Sequence, residues 1–347
     1  MTLTEREIFA QYEALAKTYD AMASSRGRLE AFLKKSGRGK IIFTGCGSGY
    51  SLAKSAAAIA RVRLDASVYA FAAGDLLLNY EAYARLLKDA VLVVLSRSGS
   101  TSEVVMLLEK ARRGLGVPCL SVCAKEKTPL AALSDEVVEI PWAFDESVCQ
   151  TRCVSNLYLA GAMLAGFLAE DAALLESLAN VVGRGDAYMR EHCGALQSLA
   201  DREWGKVVVL ADGELEGIAE EGALAFTEIA LMPSSYYHLL DVRHGPMVLV
   251  DGGTLVIAAL TPGGAGLQDA LLQDIKKRGA TLVVFSDRAS AAPHADYSVN
   301  VPPEKSFAAQ GIPFVFLAQA LSLFKALHNG VDPDKPAGLA PWIKLRV

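Results

Sequence analysis

The chain has 347 residues, of which 52% are hydrophobic and 21% charged, and its formal net charge is −5. This length suits two domains of ordinary size, each able to bury a core, and the composition is typical of compact proteins rather than disordered ones. The mild negative charge, without any basic run, argues against nucleic acid or an acidic membrane surface as a main partner.

The N-terminus and the cysteines bear on the location of the protein. The opening segment MTLTEREI has no charged-then-apolar signal pattern, and we expect no apolar run of the roughly 20 residues that span a membrane. The six cysteines include no C-x-x-C pair, so buried thiols are expected rather than disulfides or metal ligands. These features predict a cytoplasmic protein without a bound metal or cofactor.

The first elements along the chain are a helix and a strand that ends in a glycine turn. The helix is predicted to pack on the body or on a second chain, from apolar residues at helical spacing: Ile8, Tyr12, Leu15 and Tyr19. The strand, Gly39 to Gly45, runs into the segment GCGSGYS, where Ser48 offers a hydroxyl. Such turns are common at strand ends, so this one alone is a weak signal.

The most informative stretch is Val93 to Glu103, VVLSRSGSTSE, where a buried-strand pattern gives way to hydroxyls and a helix begins at once. Four hydroxyls can donate to an oxyanion: those of Ser96, Ser98, Ser100 and Thr101. Gly99 lets the backbone come close, and the free N–H groups of the next helix attract negative charge. A single hydroxyl here would be read as a helix N-cap, but this set, together with Arg97, predicts a phosphate-binding loop.

An internal duplication organises the chain. Four segments of the first half recur in order in the second: Gly39 to Gly45 as Gly205 to Ala211, Val91 to Leu95 as Thr254 to Ala258, Cys119 to Val122 as Leu282 to Phe285, and Glu136 to Pro141 as Tyr297 to Pro302. Continuous apolar strands that alternate with amphipathic helices indicate parallel sheets covered on both faces. The fold class is therefore α/β, with two doubly wound parallel-sheet domains.

Five segments follow from this organisation. They are an N-terminal helical segment (1–36), a first domain (37–170), a helical connection (171–200), a second domain (201–330) and a C-terminal tail (331–347). The two copies differ at the central loop, which reads SRSGST in the first and TPGGAG, from Thr261 to Gly266, in the second. Because the second loop has almost no side-chain donors, only the first half is expected to hold a phosphate.

Candidate catalytic groups lie in two segments of the second half. Glu221 to Ile229 reads EGALAFTEI, and Asp241 to Pro246 reads DVRHGP. Alone, Glu228 would be a solvent-facing helix residue and His244 a turn histidine. Their closeness in sequence, with a phosphate loop in the other half, favours one site assembled from several groups.

These two segments and the paired loops resemble the double sugar isomerase (SIS) domain family, whose domains are flavodoxin-like. The resemblance spans nearly the whole chain. It includes tagatose-6-phosphate ketose/aldose isomerase-like proteins, amino-sugar-phosphate deaminases and the isomerase half of glucosamine-6-phosphate synthase. The S-R-S-G form is closer to the first two groups, and the chain does not resemble a complete synthase.

The resemblance implies roles for individual residues. It assigns the phosphate to the loop residues Ser96, Arg97, Ser98 and Thr101, and the sugar or its phosphate to Ser48. It implies that Glu228 moves a proton between the first two sugar carbons and that His244, usually from the neighbouring subunit, assists ring opening. A partly desolvated carboxylate and an imidazole suit these tasks, and a homodimer is implied.

Other positions depart from the family pattern. Asp145 to Arg152, DESVCQTR, resembles a substrate-contacting loop in which Val148 and Gln150 are candidate ligands, but Gln150 stands where serine is usual. A family lysine before the catalytic glutamate is replaced by Ala225, and Lys344 is the candidate for a second, C-terminal lysine. A substrate that differs from plain fructose 6-phosphate is therefore expected.

Three function classes are compared. The first is an isomerase of hexose or hexosamine 6-phosphates, or an amino-sugar-phosphate deaminase that uses the same enediol or enolamine intermediate. The second, a non-catalytic sugar-phosphate sensor, would lack the base and the histidine. The third, a dinucleotide-dependent dehydrogenase, is disfavoured because GCGSGY does not complete G-x-G-x-x-G.

Overall fold

The structure is a computed structural model that describes residues 1–36, 39–288, 292–341, 343 and 345. Within these residues the chain forms two parallel sheets of five strands each. The first sheet contains β1 Lys40–Gly45, β2 Ser67–Ala72, β3 Val91–Ser96, β4 Cys119–Cys123 and β5 Glu136–Glu139. The second sheet contains β6 Lys206–Leu210, β7 Ser234–Tyr237, β8 Thr254–Ala259, β9 Thr281–Ser286 and β10 Tyr297–Asn300.

Helices cover both faces of the sheets. Those of the first half are α1 Leu3–Phe9, α2 Gln11–Lys35, α3 Ser48–Arg61, α4 Ala73–Leu78, α5 Tyr80–Leu87, α6 Ser102–Leu115 and α7 Pro129–Leu133. The middle of the chain forms α8 Arg152–Ala169, α9 Ala172–Arg184 and α10 Ala187–Ala200. The second half adds α11 Glu216–Ile229, α12 Ala265–Lys277 and α13 Gly311–His328.

The strand orders are β2-β1-β3-β4-β5 and, read from the other end, β7-β6-β8-β9-β10, so the two sheets have the same topology. Their central strands β3 and β8 are buried along their whole length, which explains the continuous apolar runs in the sequence. The predicted pair of doubly wound domains from a duplication is confirmed. The five segment boundaries stay a prediction.

The halves share one hydrophobic core. It runs from the inner face of the first sheet, through α2, α8 and α13, to the inner face of the second sheet. Contrary to the expectation from sequence, Arg152–Ala169 and Phe307–His328 are long and apolar enough to span a membrane. In the fold, however, 89% and 94% of these stretches are buried, as is usual for a helix that is apolar on all sides and lies in a core.

The helices α3 and α11 join the two halves through a close backbone approach at Gly217. A Cβ atom at this position would lie 2.2 Å from the Ser51 carbonyl oxygen and 2.5 Å from the Ser55 amide nitrogen. Both atoms belong to the backbone of α3, so they cannot move aside as a flexible side chain could. A glycine is therefore required where the halves meet.

We expect Gly217→Ala to lower the free energy of unfolding by about 1 to 3 kcal/mol, because the added methyl group forces α3 and α11 apart. Urea denaturation would measure the loss. Gly183→Ala in α9 is the matched control, since nothing lies within 4 Å of its Cβ position. An exposed helix glycine replaced by alanine should gain about 0.5 to 1 kcal/mol, and equal effects of the two changes would contradict the packing argument.

Candidate active site

The glycine turn after β1 brings the start of α3 against the end of β3. A Cβ atom at Gly45 would lie 2.5 Å from the Gly49 carbonyl carbon, and one at Gly49 would lie 2.6 Å from the Leu95 carbonyl oxygen. These close approaches place Ser48, the first residue of α3, beside the loop that follows β3. Ser48 is only 2% exposed.

The hydroxyl loop after β3 is held by its own side chains. The Gly99 amide donates to Ser96 Oγ over 3.0 Å, and the Ser100 amide donates to Ser98 Oγ over 3.2 Å. Gly99 has a φ of +58°, and a Cβ atom there would lie 2.3 Å from Thr128 Oγ1. Because a hydroxyl that accepts a hydrogen bond keeps its own hydrogen, the serines can still donate to an anion.

The helix that follows the loop starts without a side-chain cap. Thr101 occupies the N-cap position of α6, but its side chain makes no capping hydrogen bond within the described part of the chain. Its Oγ1 lies 3.5 Å from Ser98 Oγ. Free amide groups and three neighbouring hydroxyls at a helix N-terminus form an arrangement that suits a phosphate.

The equivalent loop of the second half is filled by a side chain. Gln268, which is 4% exposed, accepts a hydrogen bond from the Thr261 amide at 3.0 Å and donates to the Thr261 carbonyl at 3.1 Å. It also donates to the Gly263 carbonyl. The glutamine amide thus satisfies this loop from within, which gives a physical reason for the divergence between SRSGST and TPGGAG.

Arg97 connects the hydroxyl loop to two other segments of the chain. The residue is 5% exposed, and its guanidinium donates to main-chain carbonyls: those of Ser147 at 3.1 Å, Val148 at 2.9 Å and Pro341. In this arrangement Arg97 ties the hydroxyl loop to the Asp145–Arg152 loop and to the C-terminal tail. Val148 takes part through its backbone, and its amide donates to the Asp334 carbonyl at 3.1 Å.

Two buried carboxylates fix the Asp145–Arg152 loop. Glu7 of α1 accepts from the Glu146 amide at 2.6 Å and from the amide and hydroxyl of Ser147. Asp145 accepts from the amides of the first turn of α8. Burial and the Glu7 carboxylate raise the pKa of Asp145 to about 6. Glu7 from the N-terminal end and the Asp334 carbonyl from the C-terminal end therefore both hold this loop.

The carboxyl groups of Glu221 and Glu228 lie two turns apart on α11 and face this region. Burial raises the pKa of Glu228, and the positive charge of Arg97 opposes the rise. Glu221 is 2% exposed; burial and the charge of Glu228 raise its pKa well above the usual range, while the Ser48 hydroxyl opposes the rise. Ser48 and Glu221 thus connect the first half to the second.

Three buried polar atoms here have no hydrogen-bond partner among the described residues: Arg97 Nε, Gln150 Oε1 and Glu221 Oε2. Cys149, the neighbour of Gln150, is close enough to Arg97, Glu221 and Glu228 for their charges to act on its thiol. Buried polar atoms are normally hydrogen-bonded. One donor and two acceptors are therefore available to a polar ligand.

His244 and Lys344 are not brought into this group. His244 follows a short 3-10 turn and is exposed, and its amide donates to the Asp241 carbonyl at 2.8 Å. Its imidazole makes no hydrogen bond within the described residues. Lys344 lies outside the residues that the structure describes.

Comparison with models of known protein families shows which family this chain belongs to. The model of the SIS domain matches the chain twice, at residues 34–168 and 202–328, which together cover most of its length. The chain belongs to the SIS domain family. Each match contains one of the two parallel sheets, so the resemblance noted from the motifs is confirmed.

Individual relatives of this SIS protein are distant. Glutamine–fructose-6-phosphate aminotransferase (isomerizing) of Clostridium tetani is 26% identical in an alignment 270 residues long that covers 73% of this chain and 43% of that enzyme. The chain thus spans about half the length of the curated relatives it matches.

Solved structures share the fold. Tagatose-6-phosphate ketose/aldose isomerase of Escherichia coli superposes with a TM-score of 0.83 at 23% identity, covering 100% of this chain and 96% of that one. Glucosamine-6-phosphate deaminase of Thermotoga maritima has a TM-score of 0.76 at 24% identity and covers 95% and 100% of the two chains.

Sequence reasoning missed the burial of Glu221 in the SIS protein, although its spacing from Glu228 was a usable signal. Because burial raises its pKa, the folded state binds the proton more tightly than the unfolded state. The carboxyl therefore contributes most stability below its unfolded pKa, and that contribution is lost as the pH rises above about 4.5 toward the folded pKa.

We expect Glu221→Gln, which cannot lose this proton, to become more stable relative to the wild type as the pH is raised. Urea denaturation midpoints of both proteins between about pH 4 and pH 8 would test this, since linkage sets the slope. Glu126→Gln, at an exposed position in the loop after β4, is the control and should give no such trend. Parallel curves for Glu221→Gln and the wild type would contradict the assignment.

Proposed function

We propose that the protein is an isomerase of a hexose or hexosamine 6-phosphate, working through ring opening and proton transfer between the first two carbons. The observation that carries the proposal is the convergence of an uncapped hydroxyl loop from one half with a carboxyl pair from the other. The unpartnered atoms of Arg97, Gln150 and Glu221 between them suit the hydroxyl groups of an open sugar chain.

The phosphate would anchor the substrate. In this proposal it receives hydrogen bonds from Ser96, Ser98 and Thr101 and from the amides that begin α6, and Ser48 donates to the sugar or to the phosphate. Arg97 supports the site indirectly, by holding the Asp145–Arg152 loop and the C-terminal tail against the hydroxyl loop. The second half has no such role, because Gln268 fills its loop.

Glu228 would be the base. Its carboxylate removes a proton from the carbon next to the carbonyl; the electron pair of that C–H bond forms a C=C bond, and the electron pair of the C=O bond moves to the carbonyl oxygen, which takes up a proton to give an enediol. When the other hydroxyl of the enediol loses its proton, its oxygen forms the new C=O bond and the C=C electron pair takes the proton back from Glu228 at the first carbonyl carbon, so no oxidant or reductant is needed. A raised pKa brings the carboxyl nearer to the working pH of such a proton shuttle.

A deaminase is the second candidate, and the fold shared with the Thermotoga maritima deaminase favours keeping it. The same proton transfer on a 2-amino-2-deoxy sugar phosphate gives an enolamine and then an imine at the second carbon. Water adds to that imine and ammonia leaves, which yields the ketose phosphate. Both reactions therefore require the same base and the same phosphate anchor.

His244 would act in the site of a second copy of the chain. The apolar residues around it support this part of the proposal, since Leu240, Val248 and Leu249 are 38%, 74% and 60% exposed. Exposed apolar groups clustered at one place are typical of an interface. A homodimer would cover them and bring an imidazole to the proposed site, where the described residues of one chain bring no histidine together with Glu228.

Proton NMR in heavy water, with a panel of hexose and hexosamine 6-phosphates, tests the proposal. Deuterium at the first or second carbon identifies the substrate and the proton transfer, and an ammonia assay separates deaminase from isomerase. Binding of a sugar phosphate without exchange for any member of the panel would favour a sensor and contradict catalysis.

The phosphate loop can be tested by itself. We expect Ser98→Ala combined with Thr101→Val to weaken sugar-phosphate binding about 10- to 100-fold, because two hydrogen bonds to a charged acceptor are lost. Calorimetry would measure the affinity. Thr261→Val, in the equivalent loop of the second half, is the matched control and should leave the affinity unchanged; an unaffected double variant would refute the loop assignment.

A further inference from the structure

The second sheet has a cavity at its own ligand-binding edge. The strands β6 and β7 end at Leu210 and Tyr237, and a cavity of about 310 Å³ opens there, bounded by α11 and by α3 of the first half. In parallel α/β sheets, ligands bind outside the carboxyl ends of the strands. The duplication makes this edge the counterpart of the edge that carries Ser48.

An oriented imidazole lines the cavity. His238 Nδ1 lies 2.8 Å from Asp212 Oδ1 and 3.2 Å from the Tyr236 hydroxyl, which itself donates to the Ala211 carbonyl over 3.1 Å. Because a carboxylate only accepts, Nδ1 carries a hydrogen and donates it to Asp212, which leaves Nε2 as the ring nitrogen that is open to a ligand. Within the described residues, Nε2 has no hydrogen-bond partner.

The charged groups of this cavity fall into two sets. Lys54 Nζ of α3 donates to the two carboxylate oxygens of Glu220 of α11 at 2.9 and 2.7 Å, and it lies 4.6 Å from the centre of the Tyr50 ring. This ion pair links the two halves at one side of the cavity. Arg61 and Glu216 also line the cavity, and neither has an ion-pair partner among the described residues. A guanidinium donor, a carboxylate and an imidazole nitrogen are thus available together.

We infer that this cavity is a second ligand site, for a non-phosphorylated amino sugar. The lining cations Lys54 and Arg61 are balanced by Glu216 and Glu220, so the cavity has no excess positive charge to hold a phosphate. Glu220 is already paired with Lys54, whereas Glu216 has no ion-pair partner among the described residues and suits an ammonium group. Arg61 and His238 Nε2 suit sugar hydroxyls, and the Tyr50 and Tyr236 rings supply apolar surface. The site is independent of the proposed proton transfer, which uses the first sheet's edge.

Saturation-transfer NMR on the full chain, with glucosamine as the probe and glucose as the comparison, tests this inference. We expect saturable binding of glucosamine that is stronger than that of glucose. The affinity for glucosamine should fall about tenfold or more in His238→Ala and in Glu216→Gln, a change at a partly exposed position, because each removes a hydrogen bond to a charged or oriented group.

The Ser98→Ala/Thr101→Val double variant separates the two sites. Under this inference it binds glucosamine like the wild type, while His238→Ala keeps the hydrogen–deuterium exchange of sugar phosphates. Loss of glucosamine binding in the double variant but not in His238→Ala would place the sugar in the phosphate site and overturn the inference. Absence of saturable binding, or equal binding of glucose, would also overturn it.

Discussion

Glu228→Gln is expected to lower the rate of proton exchange at the substrate carbon by about 100-fold or more, because a positioned general base supplies about 10² to 10⁴ of the rate. Glutamine keeps the shape of the side chain and most of its hydrogen bonding but cannot accept the proton. Calorimetry with a sugar phosphate should therefore give nearly the wild-type affinity, while NMR in heavy water reports the lost exchange.

The pH profile adds a second readout for the same residue. The raised pKa of Glu228 means that the carboxyl holds its proton at pH values where an exposed glutamate is already ionised. Activity of the wild type should therefore rise with pH through that raised pKa as the base is freed. Glu191→Gln, at an exposed position, should keep both rate and profile; near-normal exchange in Glu228→Gln would assign the base to another residue.

Much of the fold could be predicted because the physical signals were local. Each strand that is buried on both faces requires an apolar run, so the duplication was visible as repeated runs followed by helices. The hydroxyl loop was visible for the same reason, since Ser96, Ser98 and Thr101 are close together in sequence. Their roles toward a ligand stay a prediction.

The parts that sequence reasoning missed depend on contacts between distant segments. Arg97 donates through its two terminal nitrogens to carbonyls of the 145–152 loop and of the tail at Pro341, contacts that no motif indicates, and its role toward a phosphate stays a prediction. No sequence motif indicates that Glu7 fixes that loop. Contacts between segments so far apart in sequence can be recognised only once the fold has brought both chain ends to the site.

The proposal that His244 of one chain completes the site of another rests on the positions of Glu228 and His244 in the fold. Glu228 lies on the buried side with Glu221 and Arg97, whereas His244 lies in an exposed turn. Val248 and Leu249 are exposed beside it. If a second chain covers this apolar surface, each site consists of Glu228 from one chain and His244 from the other.

Mixing chains that carry Glu228→Gln with chains that carry His244→Ala should then restore activity from two inactive preparations. A mixed dimer has one site with both changes and one intact site, and random pairing makes half of the dimers mixed, so about a quarter of the wild-type activity is expected. Tagged chains and a two-step purification would verify the mixed dimers. The control mixes Glu228→Gln chains with chains that carry both Glu228→Gln and His244→Ala; these dimers contain no intact site and should recover no activity. No recovery in verified mixed dimers would mean that both residues act within one chain.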